Sequence, residues 1–121
     1  MPMLGRRRAL ALWGALLLTL ALGGRALAQE RIRLGPYETY ERCIELNPGN
    51  SLRYSYEASA PLRFDIHFHA GEKTQYPVYR DGALSGSGVF TARQRNEYCV
   101  YWALRDEGSA DLTFEIRTLR R

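Results

Sequence analysis

The stretch from Leu62 to His69 reads Leu-Arg-Phe-Asp-Ile-His-Phe-His and alternates apolar and polar side chains without a break. Successive side chains of a strand point to opposite sides, so its apolar members share one face and its polar members the other. Residues 52–57 and 111–118 follow the same rule. Period-two alternation with one wet face is typical of antiparallel sheets that cover a core on one side.

Short turn signals, such as Asn47-Pro48-Gly49-Asn50, separate these runs. The run from Tyr98 to Leu104 is apolar on both faces, which predicts a central strand. The pattern predicts an all-β fold, an antiparallel β-sandwich of about seven or eight strands. We expect strands over residues 39–46, 51–58, 62–69, 74–80, 88–94, 98–104 and 110–118.

Residues 1–28 have the order of a helical secretory signal peptide. Three arginines, Arg6 to Arg8, precede an apolar run from Ala9 to Leu22, and Ala26-Leu27-Ala28 follows as a small-residue cleavage signal. The apolar run is too short for a bilayer, which needs about 20 residues. We therefore expect cleavage before Gln29, a single domain over residues 29–121, and no membrane span after cleavage.

The apparent basicity of the chain belongs to this leader. Four of the 17 basic residues and none of the 13 acidic residues lie in residues 1–28, which leaves 13 of each in residues 29–121 and no net charge there. Binding of nucleic acid requires a basic surface excess, so this function class loses its main support. The arginine-rich leader favours a bacterial source, and we expect a periplasmic or secreted monomer.

Both cysteines, Cys43 and Cys99, lie in the part of the chain that would be exported to an oxidising compartment. Their separation of 56 positions does not match a redox C-x-x-C motif, and we predict one structural inter-strand disulfide. Closing a loop of this length stabilises a fold by about 4 kcal/mol in the chain-entropy model.

The only two histidines, His67 and His69, lie on the polar face of the strand beside Asp65. Positions i and i+2 of a strand are about 6.6 Å apart, so two imidazoles could share Cu(II) or Zn(II). A further ligand would have to come from a neighbouring strand or loop, with Glu72, Tyr76 and Asp81 as candidates. Two alternatives stay open: surface histidines without a ligand, and a contact surface sensitive to pH. We expect no other cofactor.

Catalysis has little support in the sequence. Ser85-Gly86-Ser87-Gly88 lacks the strand-to-helix elbow of a hydrolase nucleophile, and it also lacks the lysine of a phosphate loop. We therefore predict no catalytic residues. Trp102 lies on the predicted strand that contains Cys99, which favours a core position over a ligand platform. The many tyrosines could stack on sugars or contact a protein.

The order of features resembles the GOLD domain of the emp24/p24 cargo-receptor family. The resemblance rests on a cysteine strand, the Phe64 to His69 strand, a glycine–phenylalanine strand, a Tyr-Cys-Val-Tyr-Trp strand and a closing strand, at residues 42–46, 64–69, 88–92, 98–102 and 112–116. It implies a two-sheet sandwich for protein or ligand contact, with the Cys43–Cys99 disulfide and the histidine pair on an outer strand. Members of that family carry a coiled coil and a membrane span after the domain, and we expect a variant without them here.

These observations lead to three functional hypotheses. The first is an exported, non-catalytic binding module with a contact surface that includes His67 and His69. The second is a small periplasmic copper- or zinc-binding protein. The third is a secreted hydrolase inhibitor that inserts a loop at residues 81–88 into the cleft of its target.

Overall fold

The computed structural model describes residues 29–121, and the predicted signal peptide lies outside them. This part of the chain forms six antiparallel strands, β1 to β6, and no helix in it is long and apolar enough to cross a membrane. The strands are β1 Glu30–Leu34, β2 Thr39–Leu46, β3 Ser51–Ala70, β4 Lys73–Thr91, β5 Asn96–Ala103 and β6 Ala110–Leu119.

Two long strands, β3 and β4, build both layers of the sandwich. The first half of β3 pairs with β6 at Ser51–Ala58, whereas its second half pairs with β5 at Arg63–His67, and β4 follows β3 along its length. Sheet I therefore contains β1, β6, the first half of β3 and the second half of β4. Sheet II contains the first half of β4, the second half of β3, β5 and β2. The eight strand segments confirm the predicted β-sandwich.

The predicted breaks within β3 and β4 are bends rather than loops. Between Glu57 and Leu62 the register shifts, because β3 uses five residues where β4 uses two. Bulges of this kind turn a strand from one sheet into the other, and proline is tolerated at them. The break expected between the strands at residues 51–58 and 62–69, and the loop predicted at residues 81–88, are therefore both wrong. Strand β1 was not predicted.

The core lies between the two sheets. Trp102 of β5 packs against Phe114 of β6 with 4.8 Å between ring centroids, and Phe64 of β3 contacts the rings of Tyr54 and Tyr56 at 5.0 and 4.7 Å. Trp102 is completely buried, which confirms its predicted core position. Strand β5 lies between β2 and β3, so the prediction of a central strand is also correct.

The Ser-Gly-Ser-Gly sequence has a packing role in β4. Gly86 and Gly88 face inward over Tyr56 and Tyr54, where an added Cβ would lie 2.8 Å from the Tyr56 ring and 2.6 Å from the Tyr54 hydroxyl. Glycine lets two large side chains of the inner face lie against the backbone of the neighbouring strand. The motif therefore permits close packing between strands and does not form a loop.

An ion pair joins the two sheets at the side of the sandwich opposite the hairpin of β3 and β4. Glu30 of the edge strand β1 in sheet I binds the guanidinium of Arg42 of the edge strand β2 in sheet II through both carboxylate oxygens, one of them at 2.7 Å. The Tyr40 hydroxyl also accepts a hydrogen bond from Arg42 at 2.7 Å. The hydrogen bond from Arg42 lowers the pKa of Glu30, and the same pairing raises the pKa of Arg42.

The predicted disulfide is present and joins neighbouring strands of one sheet. Cys43 of β2 and Cys99 of β5 lie directly opposite each other, with 3.9 Å between their Cα atoms and 2.03 Å between their sulfurs. Both side chains lie on the outer face of sheet II, where Cys99 is also in register with His67 of β3. The disulfide therefore ties the edge strand β2 to the centre of the sheet that carries the histidines.

Candidate functional site

The outer face of sheet II carries a row of polar and aromatic side chains across all four strands. Tyr79 of β4, Asp65 of β3, Tyr101 of β5 and Glu41 of β2 are in register along this row. Arg63, His67 and Tyr76 flank it. We call this surface the tyrosine–arginine face, and its residues are Glu41, Arg63, Asp65, His67, Tyr76, Tyr79 and Tyr101.

A chain of charged contacts runs through the tyrosine–arginine face. Asp65 lies 3.1 Å from a guanidinium nitrogen of Arg63 and 2.7 Å from Nδ1 of His67, and Nε2 of His67 lies 3.2 Å from the carboxylate of Glu41. Asp65 is completely buried although its side chain points away from the core. A buried carboxylate is costly unless it is paired, and here it has a cation and an imidazole as partners.

Three tyrosine rings surround the guanidinium of Arg63. Its central carbon lies 5.0 Å from the ring centroid of Tyr79, 5.6 Å from that of Tyr101 and 5.7 Å from that of Tyr76. These distances are those of cation–π contacts. Burial lowers the pKa of Arg63, but Asp65 and the Tyr79 and Tyr76 side chains together raise it above its ordinary value. Arg63 is therefore a permanently charged and well-held centre of the face.

A β-bulge places both Tyr76 and Tyr79 on this face. Residues three apart normally point to opposite sides of a strand. Ile66 pairs with Val78, but Phe68 pairs with Gln75, so β4 uses three residues where β3 uses two. The extra residue falls at Tyr76-Pro77 and turns Tyr76 to the side of Tyr79. The two rings are nearly perpendicular at 89°, with centroids 6.4 Å apart, and about half of each residue is exposed.

The structure brings His67 and Asp65 together, but His67 and His69 contact partners on different neighbouring strands. The two imidazole centroids are 5.8 Å apart. His67 contacts Glu41 on the β2 side of the sheet, whereas Nδ1 of His69 lies 3.1 Å from the Thr74 hydroxyl on the β4 side. The histidines lie between β4 and β5, not on an outer strand as the GOLD resemblance implied.

Few donor atoms surround His67. Of the groups in residues 29–121 that could share an ion with Nε2 of His67, Glu41 and Cys99 are close enough, but Cys99 is bonded to Cys43. An imidazole and a single carboxylate fall short of the three or four protein ligands of usual zinc sites. Of the predicted extra ligands, Tyr76 lies beside His67, with 5.8 Å between ring centroids.

A shallow groove extends the tyrosine–arginine face toward the end of the sandwich. It has a volume of about 300 Å³ and is lined by Arg63, Tyr101, Arg105 and Tyr37, among others. Tyr37 is 63% exposed and has a φ of +57°, which is rare for a residue with a bulky side chain. Hydrogen bonds from Glu38 N to Gly35 O and from Tyr37 N to Asp106 O, both of 3.1 Å, hold this turn.

Several residues of the face were missed at the sequence level. Alternation placed Arg63 on the polar face with Asp65, but Arg63 was not among the predicted site residues. Glu41 and Tyr101 lie on strands that are distant in sequence, and only the pairing of β2, β5 and β3 brings them together. The position of Tyr76 depends on the bulge, for which Pro77 is the one local signal.

Comparisons with known proteins show the fold. Neither a protein-family model nor a curated protein matches the sequence. The pre-peptidase C-terminal domain of collagenase from Bacillus anthracis is similar in structure, with a TM-score of 0.59 and 12% identity over 78% of this chain and 100% of that one.

Two further solved structures are also similar. PliG from Aeromonas hydrophila, a periplasmic lysozyme inhibitor of g-type lysozyme, has a TM-score of 0.51 and 16% identity over 74% of this chain and 85% of that one. The Yersinia pseudotuberculosis-derived mitogen has a TM-score of 0.53 and 9% identity over 75% of this chain and 84% of that one. The chain thus has an all-β fold like that of these domains, whereas no family model supports GOLD membership.

Proposed function

We propose that this protein is an exported, non-catalytic binding module of the bacterial envelope and that the tyrosine–arginine face is its contact surface. One observation carries the proposal: Asp65 is completely buried on the outer side of a sheet, beneath tyrosines that are half exposed. Aspartate is almost never fully buried unless it is paired. Here its pairing with Arg63 and His67 holds an aromatic layer in a fixed arrangement, and tyrosine and arginine are enriched in binding surfaces.

The contacts of His67 support a binding role over a catalytic one. A histidine that activates a nucleophile has a hydroxyl or thiol within hydrogen-bond reach. Both ring nitrogens of His67 instead face carboxylates, those of Asp65 and Glu41. The two carboxylates thus fix the orientation of the imidazole within the surface. Export is supported by the signal-peptide pattern of residues 1–28 and by the fold likeness to a periplasmic protein. A distant relationship to GOLD domains remains part of the proposal.

The test uses the purified protein, expressed from the full-length sequence, as immobilised bait for an extract of the native envelope. We expect wild type to retain a specific component and the Tyr76→Ala/Tyr79→Ala double variant to lose it. Val89→Ala is the matched control, because Val89 is also about half exposed and lies on β4 in sheet I. Equal capture by all three proteins would contradict the assignment of the surface. Capture by none would contradict a binding module.

A second candidate function is inhibition of a hydrolase, and the Tyr37 turn is the observation that favours it. An exposed tyrosine in a left-handed conformation on an anchored turn is the kind of strained feature that occurs at functional sites. The similar structure of PliG is that of an inhibitor of g-type lysozyme. This turn takes the role that residues 81–88 had in the sequence-based hypothesis, because those residues belong to β4.

Inhibition of g-type lysozyme by wild type and by Tyr37→Asn tests this candidate. Asparagine tolerates the left-handed conformation, so the variant removes the ring without straining the turn. We expect loss of inhibition in Tyr37→Asn if the turn enters the cleft of the enzyme. A wild type without inhibitory activity against g-type lysozyme would contradict this candidate for that target.

A further inference from the structure

We infer that the tyrosine–arginine face binds a neutral, hydroxyl-rich polymer, namely a linear glycan chain that lies across the sheet. This inference rests on the proposed function and names the class of its ligand. The charge balance, the exposed aromatic rings and the open shape of the face all point to this class.

The charge balance of the face favours a neutral ligand. Arg63 is paired with Asp65, and His67 lies between Asp65 and Glu41. At the groove, Arg105 lies 3.5 Å from Asp81. An anionic ligand at Arg63 would lie close to the buried carboxylate of Asp65, which would repel it. A cationic ligand at Asp65 would meet the guanidinium of Arg63. Both kinds of ion are therefore disfavoured at the centre of the face.

The aromatic side chains supply the apolar part of a glycan site. One side of a pyranose ring presents C–H groups, which pack against the flat face of an aromatic ring and bury apolar surface there. Tyr76 and Tyr79 are each about half exposed, and Tyr37 is more exposed still. Their rings stand on a sheet rather than inside an apolar cavity. Such a surface suits stacking on sugar rings better than enclosure of an apolar ligand.

The polar side chains of the face supply directional contacts for hydroxyl groups. Glu41 has 43% of its side chain exposed and accepts hydrogen bonds, whereas the guanidinium of Arg63 donates them. Asp65 and the three surrounding tyrosine rings hold Arg63 in place. Groups that are ordered before binding lose little conformational entropy on binding, which matters for a ligand with many weak contacts.

The shape of the site fits a chain better than a single sugar. The groove of about 300 Å³ between Tyr37 and Tyr101 shares Arg63 with the face and is largely open to solvent. Ligand pockets for isolated small molecules usually enclose most of the ligand surface. An open groove that continues into an aromatic surface instead allows a polymer to enter and leave at both ends, with sugar rings at Tyr37, Tyr79 and Tyr76.

The experiment screens the purified protein on an array of neutral and acidic oligosaccharides and measures the affinity for the strongest probe by calorimetry. We expect binding to a neutral oligosaccharide. Tyr79→Ala should weaken it roughly tenfold, the size of one lost aromatic contact. Tyr79→Phe keeps the ring and should retain affinity within about threefold, because one exposed hydrogen bond contributes little. Val89→Ala, on the other sheet, should bind like wild type.

Three outcomes would overturn the inference. Binding only to acidic oligosaccharides, abolished by salt, would show that charge rather than stacking selects the ligand. Neutral-glycan binding that Tyr79→Ala leaves unchanged would place the glycan elsewhere. Absence of glycan binding, combined with capture of an envelope protein that depends on Tyr76 and Tyr79, would overturn the glycan but leave the proposed function intact.

Discussion

Nδ1 of His67 lies 2.7 Å from a carboxylate oxygen of Asp65, and that carboxylate is completely buried on the outer side of its sheet. The pair is two residues apart on one strand, so alternation alone places both side chains on the same face. Its burial has a different origin, because Tyr79 and Tyr101 of the two neighbouring strands flank Asp65 in register. The stability of this surface should therefore depend on Asp65 more than on any exposed charge.

Replacement of Asp65 by asparagine tests this dependence. Asp65→Asn keeps the shape of the side chain but leaves Arg63 without its counter-charge, and breaking a buried pair costs about 3 kcal/mol. We expect a loss of that size in the free energy of unfolding from urea titration. Asp111→Asn is the control, because the Arg33–Asp111 pair is exposed and should contribute less than about 1 kcal/mol. Similar losses in both variants would contradict a special role for Asp65.

Metal titration tests whether His67 and His69 cooperate as ligands. Because the two imidazoles bond toward opposite neighbouring strands, we expect Zn(II) and Cu(II) to leave the melting temperature of the purified protein unchanged. The control is the His67→Gln/His69→Gln variant under the same conditions. A rise in melting temperature in wild type that the double variant lacks would instead establish the metal-binding hypothesis, because only ligands of the folded state stabilise it.

The Glu30–Arg42 pair predicts a dependence of stability on acidic pH. The hydrogen bond from Arg42 lowers the pKa of Glu30 in the folded protein below its ordinary value of 4.5. The contribution of this pair to the free energy of unfolding is therefore present above that ordinary pKa. It is lost as the pH falls through the lowered pKa of the folded state. We expect Glu30→Gln to melt below wild type at pH 7, with the difference vanishing in strong acid. A difference independent of pH would contradict this origin.

Two buried tyrosines differ in whether their hydroxyl group makes a hydrogen bond, which allows a direct comparison. The Tyr56 hydroxyl is buried without a hydrogen-bond partner, whereas the Tyr98 hydroxyl donates to the Gln94 carbonyl at 2.7 Å. Removal of an unpaired buried hydroxyl is neutral or favourable, whereas loss of a made bond costs about 1 kcal/mol. We expect Tyr56→Phe to keep or raise the urea midpoint and Tyr98→Phe to lower it. The reverse order would contradict the assigned contacts.

The close approach of Gly88 to Tyr54 predicts a rescue. A Cβ at Gly88 would lie 2.6 Å from the Tyr54 hydroxyl, so Gly88→Ala should lose about 1–3 kcal/mol by overpacking. Tyr54→Phe removes the hydroxyl and should recover part of that loss in the double variant. A double-mutant cycle of urea titrations measures this coupling. Ser87→Ala, which lies beside Gly88 on the solvent side, should have little effect, and additive losses would contradict the contact.

Prediction from the sequence worked where the determinants are local. The alternation in residues 62–69 placed the buried and outer side chains of β3 correctly, because period two is a property of any strand. The run from Tyr98 to Leu104 is apolar on both faces, and this local composition identified the central strand. The bends at Glu57–Leu62 and at Tyr76-Pro77 could not be predicted, because a bulge depends on how the partner strand pairs.

The sequence by itself determined the sandwich class, the disulfide partners and the strand face that carries Asp65, His67 and His69. Only the tertiary structure decided which side chains surround them. Glu41 and Tyr101 come from strands far away in sequence, and the antiparallel register of β2, β5 and β3 places them in one row with Asp65. Burial of Asp65 is likewise a tertiary property, since the residues that flank it in register come from neighbouring strands. The position of a residue along its strand sets the face on which its side chain lies, whereas strand pairing sets its neighbours and its exposure to water.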